Sequence, residues 1–507
     1  MRLLTLLLLC LSAALPAGAN SVDGVWKARV KKHPKLINTT HTTLAKGTLL
    51  TIDNSSRCMD NTPAYYYFAG ATTNAMVTTW LIYLPGKAWC FSAASCFLLA
   101  FWEAGAATSK KVPSSISLDG AFSPDPTKNP WAGANLGYLG YCSGDAFLGS
   151  TNQTALGGYN YQGRRILRAF FTHLVTVMGM GRPYRVNNQE AVHQIVLMGG
   201  GTGGIGVLLN IDDVAGWMLE LGVIPGDFEL RGVLDDALNV PVLPLHPPPG
   251  ATTVTPPLTA AALAIPYLNV TAAQLSPQCL AANSANPSAC LFPPTRLKYV
   301  TSPVLVYAPL YDKRQLHTSF GSEPPASARE LTGAESAAAA QLRSDTLTAL
   351  AATVAGSVSN AAFAPACVKG PVALHPTFWG VRLSKPENPD LESFRDIYAN
   401  WVAGGNLTNG KVFADTCTSY ACGTGCRRNA GHPRNPDKLI KVDQQAVPKK
   451  SVPAWVYRWT FRFTVVLIVI IVLNLAWKTL APMMYELPPL PLPLPDRIPG
   501  LAGGGGE

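Results

Sequence analysis

The chain has 507 residues, 48% of them apolar and 14% charged, so it can bury one large core or two smaller ones. Its 42 prolines and 44 glycines point to a loop-rich body. The net charge of +10 is local, with nine Lys/Arg and two Asp between Arg427 and Arg462; with no nucleic-acid motif in the chain, this excludes nucleic acid as a partner and fits a basic stalk near lipid headgroups.

Met1-Arg2, the run Leu3–Leu9 and a small-residue stretch ending at Ala19 read as a secretory signal peptide, 1–19. Residues 20–45 are polar and basic and form a leader onto the fold. Trp80–Leu84 reads as a buried strand, followed by a glycine turn, a cysteine pair and an apolar helix-like run, Phe97–Ala107. A strand near Tyr138–Tyr141 and a helix from Arg164 to Met178 come next, the helix carrying apolar residues at helical spacing. After Ile195–Met198, a third buried strand, five of the next six residues are glycine, and an apolar helix-like run follows. Pro241–Pro266 reads as an irregular surface loop or lid, Val304–Tyr307 as another buried strand, and Ala334–Ala355 as an alanine-rich helix. This alternation predicts an α/β domain with a mostly parallel sheet. At the far end a 431–458 basic stalk leads to an apolar run with tryptophans at both ends, 459–479, long enough to span a bilayer. Together with the signal peptide it predicts a single-pass type I membrane protein with a lumenal or extracellular ectodomain. The Pro/Gly-rich tail, 480–507, favours polyproline II and could dock a partner's aromatic groove or serve as a spacer.

Strand, tight glycine turn and helix are the setting of a nucleophile elbow, where G-x-S-x-G lifts a serine onto a strained turn. Here the pattern reads Gly199-Gly200-Gly201-Thr202-Gly203, with glycine at its centre. Acyl transfer needs an activated oxygen or sulfur nucleophile with a base in reach, and Gly201 has no such atom.

Ten cysteines remain once Cys10 leaves with the signal, an even count that implies disulfides in an oxidising compartment. Cys90/Cys96 and Cys279/Cys290 are near enough to pair locally. Cys367, Cys417, Cys422 and Cys426 allow two more bridges, and Cys58 and Cys142 complete the set. Zinc is the weaker reading, since few histidines lie nearby; no metal or cofactor is expected. Sequons at Asn38, Asn54, Asn152, Asn269 and Asn406 fit a glycosylated surface.

Several separated segments resemble one family, the pectin acetylesterases and their animal relatives, the Notum carboxylesterases. Trp80-Leu-Ile-Tyr-Leu-Pro-Gly-Lys-Ala-Trp-Cys90 is similar to its W-L-x-x-L-E-G-G-G-W-C. Tyr141-Cys-Ser-Gly-Asp-Ala-Phe-Leu-Gly149 is similar to Y-C-D-G-x-x-F-x-G, and Gly199–Asp212 to G-S-S-A-G-G-x-G-V-L-L-N-x-D. Cys58–Tyr66, Arg231–Asp235, Cys279–Pro293, Val304–Leu316, Phe363–Cys367 and Cys417–Cys426 follow in order, so the resemblance covers an ectodomain of residues 46–430. It implies a disulfide-rich α/β-hydrolase-like three-layer fold and a Ser–His–Asp ester hydrolase. The acid position falls on Asp312, the nucleophile position on Gly201 and the histidine position on Gly370, with His375 a possible substitute. Backbone amides of Ala88, Trp89 and Thr202 would form the oxyanion hole. Pro85 stands for the family's glutamate and Lys87 for one of its glycines. Substitutions gather on the parts the reaction needs, which implies an inactive relative that binds a cell-wall glycan or an acylated ligand. A carbohydrate O-deacetylase with a rearranged site, or a membrane adaptor acting through its tail, are the alternatives.

Overall fold

Continuous apolar runs need burial on both faces, and they become the interior strands of a ten-stranded sheet. The computed structural model describes residues 41–425, apart from 50–55, 152–157, 187–188, 247–256, 326, 356–358, 385–392, 403–411 and 424. In chain order the strands are β1 (Thr42–Thr48), β2 (Tyr65–Ala69), β3 (Thr79–Leu84), β4 (Ser115–Leu118), β5 (Asn135–Leu139) and β6 (His193–Gly200). They continue with β7 (Phe228–Asp235), β8 (Val304–Tyr307), β9 (Ala361–Ala364) and β10 (Val412–Ala414). Their spatial order is β10-β9-β8-β7-β6-β3-β5-β2-β1-β4. Neighbours from β10 to β5 pair in parallel, and β2, β1 and β4 extend the sheet antiparallel. The mostly parallel α/β sheet expected from the sequence is therefore present.

Position in the sheet sets the pattern within each strand. β3 and β8 are buried at every residue, whereas β4, at the antiparallel edge, alternates exposed and buried. Helix α1 (Ala93–Trp102) follows β3, and α2 (Gly163–Thr176) buries Ile166, Leu167, Phe170, Phe171 and Leu174 along one face. The elbow helix, α3 (Thr202–Glu220), packs on β6 and β7 and against α2. Pro257–Leu268 forms α4, Lys313–Phe320 α5, Gly333–Ala355 α6 and Phe394–Val402 α7.

The structure moves several expected boundaries. β1 starts at Thr42, inside the segment read as a leader, because its pairing with β2 and β4 is long-range and leaves no local signature. The strand expected near Tyr138–Tyr141 lies at Asn135–Leu139, and the apolar run after it turns at Gly140. The run Phe97–Ala107 divides into α1 and a short turn, Ala104–Ala106. The region Pro241–Pro266 is not irregular throughout: the alanine-rich run from Leu258 to Ile265 has strong helix propensity and forms α4, with Pro257 at its first position and Pro266 in its last turn.

Disulfides join Cys58–Cys142, Cys90–Cys96, Cys279–Cys290 and Cys417–Cys422, and Cys367 is also disulfide-bonded. Cys426 lies outside the described residues, as do the signal peptide, the 459–479 run, the tail and the sequons at Asn38, Asn54, Asn152 and Asn406. Asn269 is exposed. Among the described residues, no helix is long and apolar enough to cross a membrane, and no cluster of His, Cys, Asp and Glu could hold a metal ion.

Candidate functional site

The carboxyl ends of β6, β7 and β8 converge, and there the expected site residues are found. Between β6 and α3, Gly201 has φ +54° and ψ −118°, outside the regions open to most side chains, and its amide donates to the Asp235 carbonyl at 3.0 Å. The sharp strand-to-helix turn of an elbow is thus present without its serine. Close approach explains two of the surrounding glycines: a Cβ on Gly203 would lie 2.0 Å from the Leu84 carbonyl oxygen, and one on Gly86 1.9 Å from that of Gly200.

The nucleophile's place is occupied. A Cβ built on Gly201 would fall 2.0 Å from Arg314 Nη1 and 2.6 Å from its Cζ. Arg314 comes from the first turn of α5 and reaches back across the elbow, where Nη2 donates to the Asp236 carbonyl at 2.8 Å and to Asp236 Oδ2 at 3.3 Å. The guanidinium is half-buried while the Asp236 carboxyl is fully buried. Arg314 thus fills volume that a β-carbon at 201 would need.

Asp312 is the N-cap of α5. Its Oδ1 accepts from the amides of Arg314 (2.7 Å) and Gln315 (3.4 Å), and its Oδ2 from Gln315 Nε2 (2.7 Å). The carboxylate is spent on capping and on a glutamine, where a triad acid would hold a histidine. A short parallel pairing of Tyr311–Asp312 with Val368–Lys369 sets Asp312 opposite Lys369, the residue before Gly370, where the sequence resemblance would put a histidine. A Cβ at Gly370 would meet only Asp236 Oδ2, at 3.7 Å. The position is open and empty of side chain.

His375 is engaged locally. Its Nδ1 accepts from the Thr377 amide at 3.1 Å and lies 2.7 Å from Thr377 Oγ1. A triad histidine would donate from that nitrogen to its acid, so this geometry gives no support to His375 as a substitute base.

The loop expected to form the oxyanion hole is tied to Tyr141 and to the elbow by side-chain hydrogen bonds. Tyr141 Oη donates to the Ala88 carbonyl and accepts from the Ala146 amide, and Thr202 Oγ1 donates to the Lys87 carbonyl, tying loop to elbow. Among the described residues the amides of Ala88, Trp89 and Thr202 have no hydrogen-bond partner. Asp145, quoted in the sequence motif but given no role there, organises the next turn: it accepts from Ser143 Oγ and from the amides of Phe147, Gly149 and Gly163.

Charge at the site is unusual. Asp235 accepts the amides of Val372 and Ala373, yet burial pushes its carboxyl up to about 6. Burial, then the neighbouring Asp312, drives Asp236 well above the usual carboxylate range; burial also raises Asp312. For Arg314, burial alone would lower the pKa, but Asp236, Asp312 and Asp235 together outweigh it and hold the guanidinium charged. Arg314 and Asp236 were missed in the sequence. Asp236 carries a φ of +56° just after β7, and only the fold brings it to Arg314.

Beside the elbow opens a cavity of about 320 Å³, within the range of small-ligand sites. Its lining joins Thr202, Trp89 and Arg314 to the apolar residues Phe91, Leu148, Ile205, Val240, Ala261 and Phe292.

Comparison with known proteins gives a consistent picture. The Pectinacetylesterase family model matches residues 38–235. A palmitoleoyl-protein carboxylesterase notum1' of Xenopus laevis is 32% identical over 184 residues, 36% of this chain and 35% of that protein. Pectin acetylesterase 5 of Arabidopsis thaliana is 27% identical over 267 residues, 51% of this chain and 55% of that protein. The chain thus matches about a third to a half of these relatives' lengths. The structure of the Wnt deacylase Notum from Drosophila covers 76% of this chain and 100% of its own at a TM-score of 0.64 and 22% identity, a likeness of fold.

Proposed function

We propose that this chain, whose residues 38–235 match the Pectinacetylesterase family model, keeps that family's site as a binding pocket and does not hydrolyse esters. One observation carries the reading: a guanidinium stands where the serine of the elbow would stand. The rest of the triad agrees, with Asp312 committed to capping α5 and no side chain at Gly370. A triad works as a unit, so without nucleophile and base little but oxyanion binding remains. The apolar lining of the cavity favours an acyl chain over a glycan as the bound group. The disulfides support folding in an oxidising compartment. The apolar 459–479 run would then anchor the domain to a membrane, with the basic 431–458 stalk against lipid headgroups.

The test is hydrolysis of p-nitrophenyl acetate and p-nitrophenyl octanoate by the purified chain, expected at the buffer rate. Turnover above that rate that survives repurification would overturn the reading. Repair of the triad takes three substitutions, because Gly201→Ser with Gly370→His leaves Arg314 in the serine's volume. Adding Arg314→Ala should give ester hydrolysis about 10³-fold or more above the unrepaired chain.

A further inference from the structure

We propose that the cavity beside the elbow binds a free monocarboxylate with an apolar tail, its carboxylate paired with Arg314 and its tail against Phe91, Ile205 and Phe292. This rests on the reading of the site as inert and names its ligand.

The argument is one of complementarity. An ester hydrolase presents a neutral serine hydroxyl to a neutral acyl carbon, with amides waiting for the oxyanion. Here the same point carries a fixed positive charge: Nη1 of Arg314 lies within 2.0 Å of where the serine Cβ would be. Nη2 is already held by Asp236, whereas Nε is buried without a hydrogen-bond partner and Nη1 has none among the described residues. Seating a neutral ester there would desolvate an arginine and return only a neutral carbonyl acceptor, a weaker partner for the guanidinium than an anion. A carboxylate returns two anionic oxygens, and an Arg–carboxylate hydrogen bond is among the strong ones. Trp89 and Thr202, whose amides are unpartnered among the described residues, line the same cavity as candidate donors to the second oxygen.

The acidic neighbours do not forbid an anion. Asp235, Asp236 and Asp312 are buried and none of them lines the cavity, and burial raises each toward its neutral form. Arg314 keeps its charge. The apolar tail suits the lining, which apart from Thr202, Asn239, Arg314, Gln315 and Thr318 is apolar or aromatic.

The experiment is calorimetric titration of the full chain in lipid nanodiscs with octanoate, methyl octanoate and 1-octanol, against empty nanodiscs. Octanoate should bind at least tenfold more tightly than the other two. Arg314→Gln should remove that preference, Arg314→Lys should keep part of it, and Val242→Trp, which narrows the cavity, should weaken all three. Thermal unfolding of each variant checks that it is folded. If methyl octanoate binds as tightly as octanoate, or Arg314→Gln leaves octanoate binding unchanged, the inference fails and the inert acyl pocket stands. Binding of none of the three would overturn both.

Discussion

Gly201→Ala should destabilise the chain by about 2–4 kcal/mol, for two reasons that can be separated. At φ +54° and ψ −118° the backbone lies where an L side chain costs roughly 1–3 kcal/mol. The new methyl would also meet Arg314 Nη1 at 2.0 Å and displace the guanidinium from Asp236. A hydrogen bond to a charged group contributes about 1.5–3 kcal/mol, reduced here to about 1 kcal/mol because the arginine is half exposed to solvent. In an Arg314→Ala background only the strain should remain, so the two substitutions should couple by about 1 kcal/mol in a double-mutant cycle. Urea unfolding of the oxidised chain, followed by tryptophan fluorescence, measures all four corners. Additivity within about 0.3 kcal/mol would show that the arginine does not occupy the nucleophile's volume, and would remove the basis of the proposed function.

Other consequences are equally open to measurement. Asp235 rises from 3.8 to about 6 on folding, so the folded chain binds its proton more tightly and stability should fall by up to ~3 kcal/mol as pH rises from about 4 to about 6. Asp145 is raised to a similar value and adds to the slope, so Asp235→Asn should flatten it by about one proton and leave the remainder; an unchanged slope would contradict the burial argument. Replacing Cys58 and Cys142 by alanine removes a bridge spanning 84 residues and should cost about 2–5 kcal/mol, read as a lower urea midpoint. His193 accepts from Trp80 Nε1 on Nδ1 and lies 2.8 Å from the Arg182 carbonyl on Nε2, while burial lowers its pKa. Nitrogen-15 NMR should therefore show a neutral Nε2–H tautomer that does not titrate between pH 8 and 6; a signal moving near 6.5 would refute the assignment.

Much of the scaffold was legible because its signals are local. Val304–Tyr307 and the elbow strand are short apolar runs bounded by turn residues, and burial on both faces of a parallel sheet requires that composition. The close pairs Cys90–Cys96 and Cys279–Cys290 follow from short separations. Antiparallel β4, at the sheet edge, and β1 beside it left little trace, since alternating or polar residues resemble loop. α4 was hidden by flanking prolines that read as breakers: Pro257 opens the helix, where an amide has no intrahelical partner, and Pro266 falls in its last turn.

The sequence by itself determined what the site lacks. Gly201 and Gly370 carry no reactive atom, and no tertiary structure can supply one. What the site holds instead was decided only by the fold. Arg314 is two residues beyond Asp312 and more than a hundred beyond Gly201, and nothing local marks it as different from any other helix arginine. Placing it in the serine's volume required β6, β7 and β8 to end side by side, Asp312 to cap α5, and a buried Asp236 to hold the guanidinium. Absence of a functional group is a property of one residue, whereas occupation of its space is a property of all the elements that meet there.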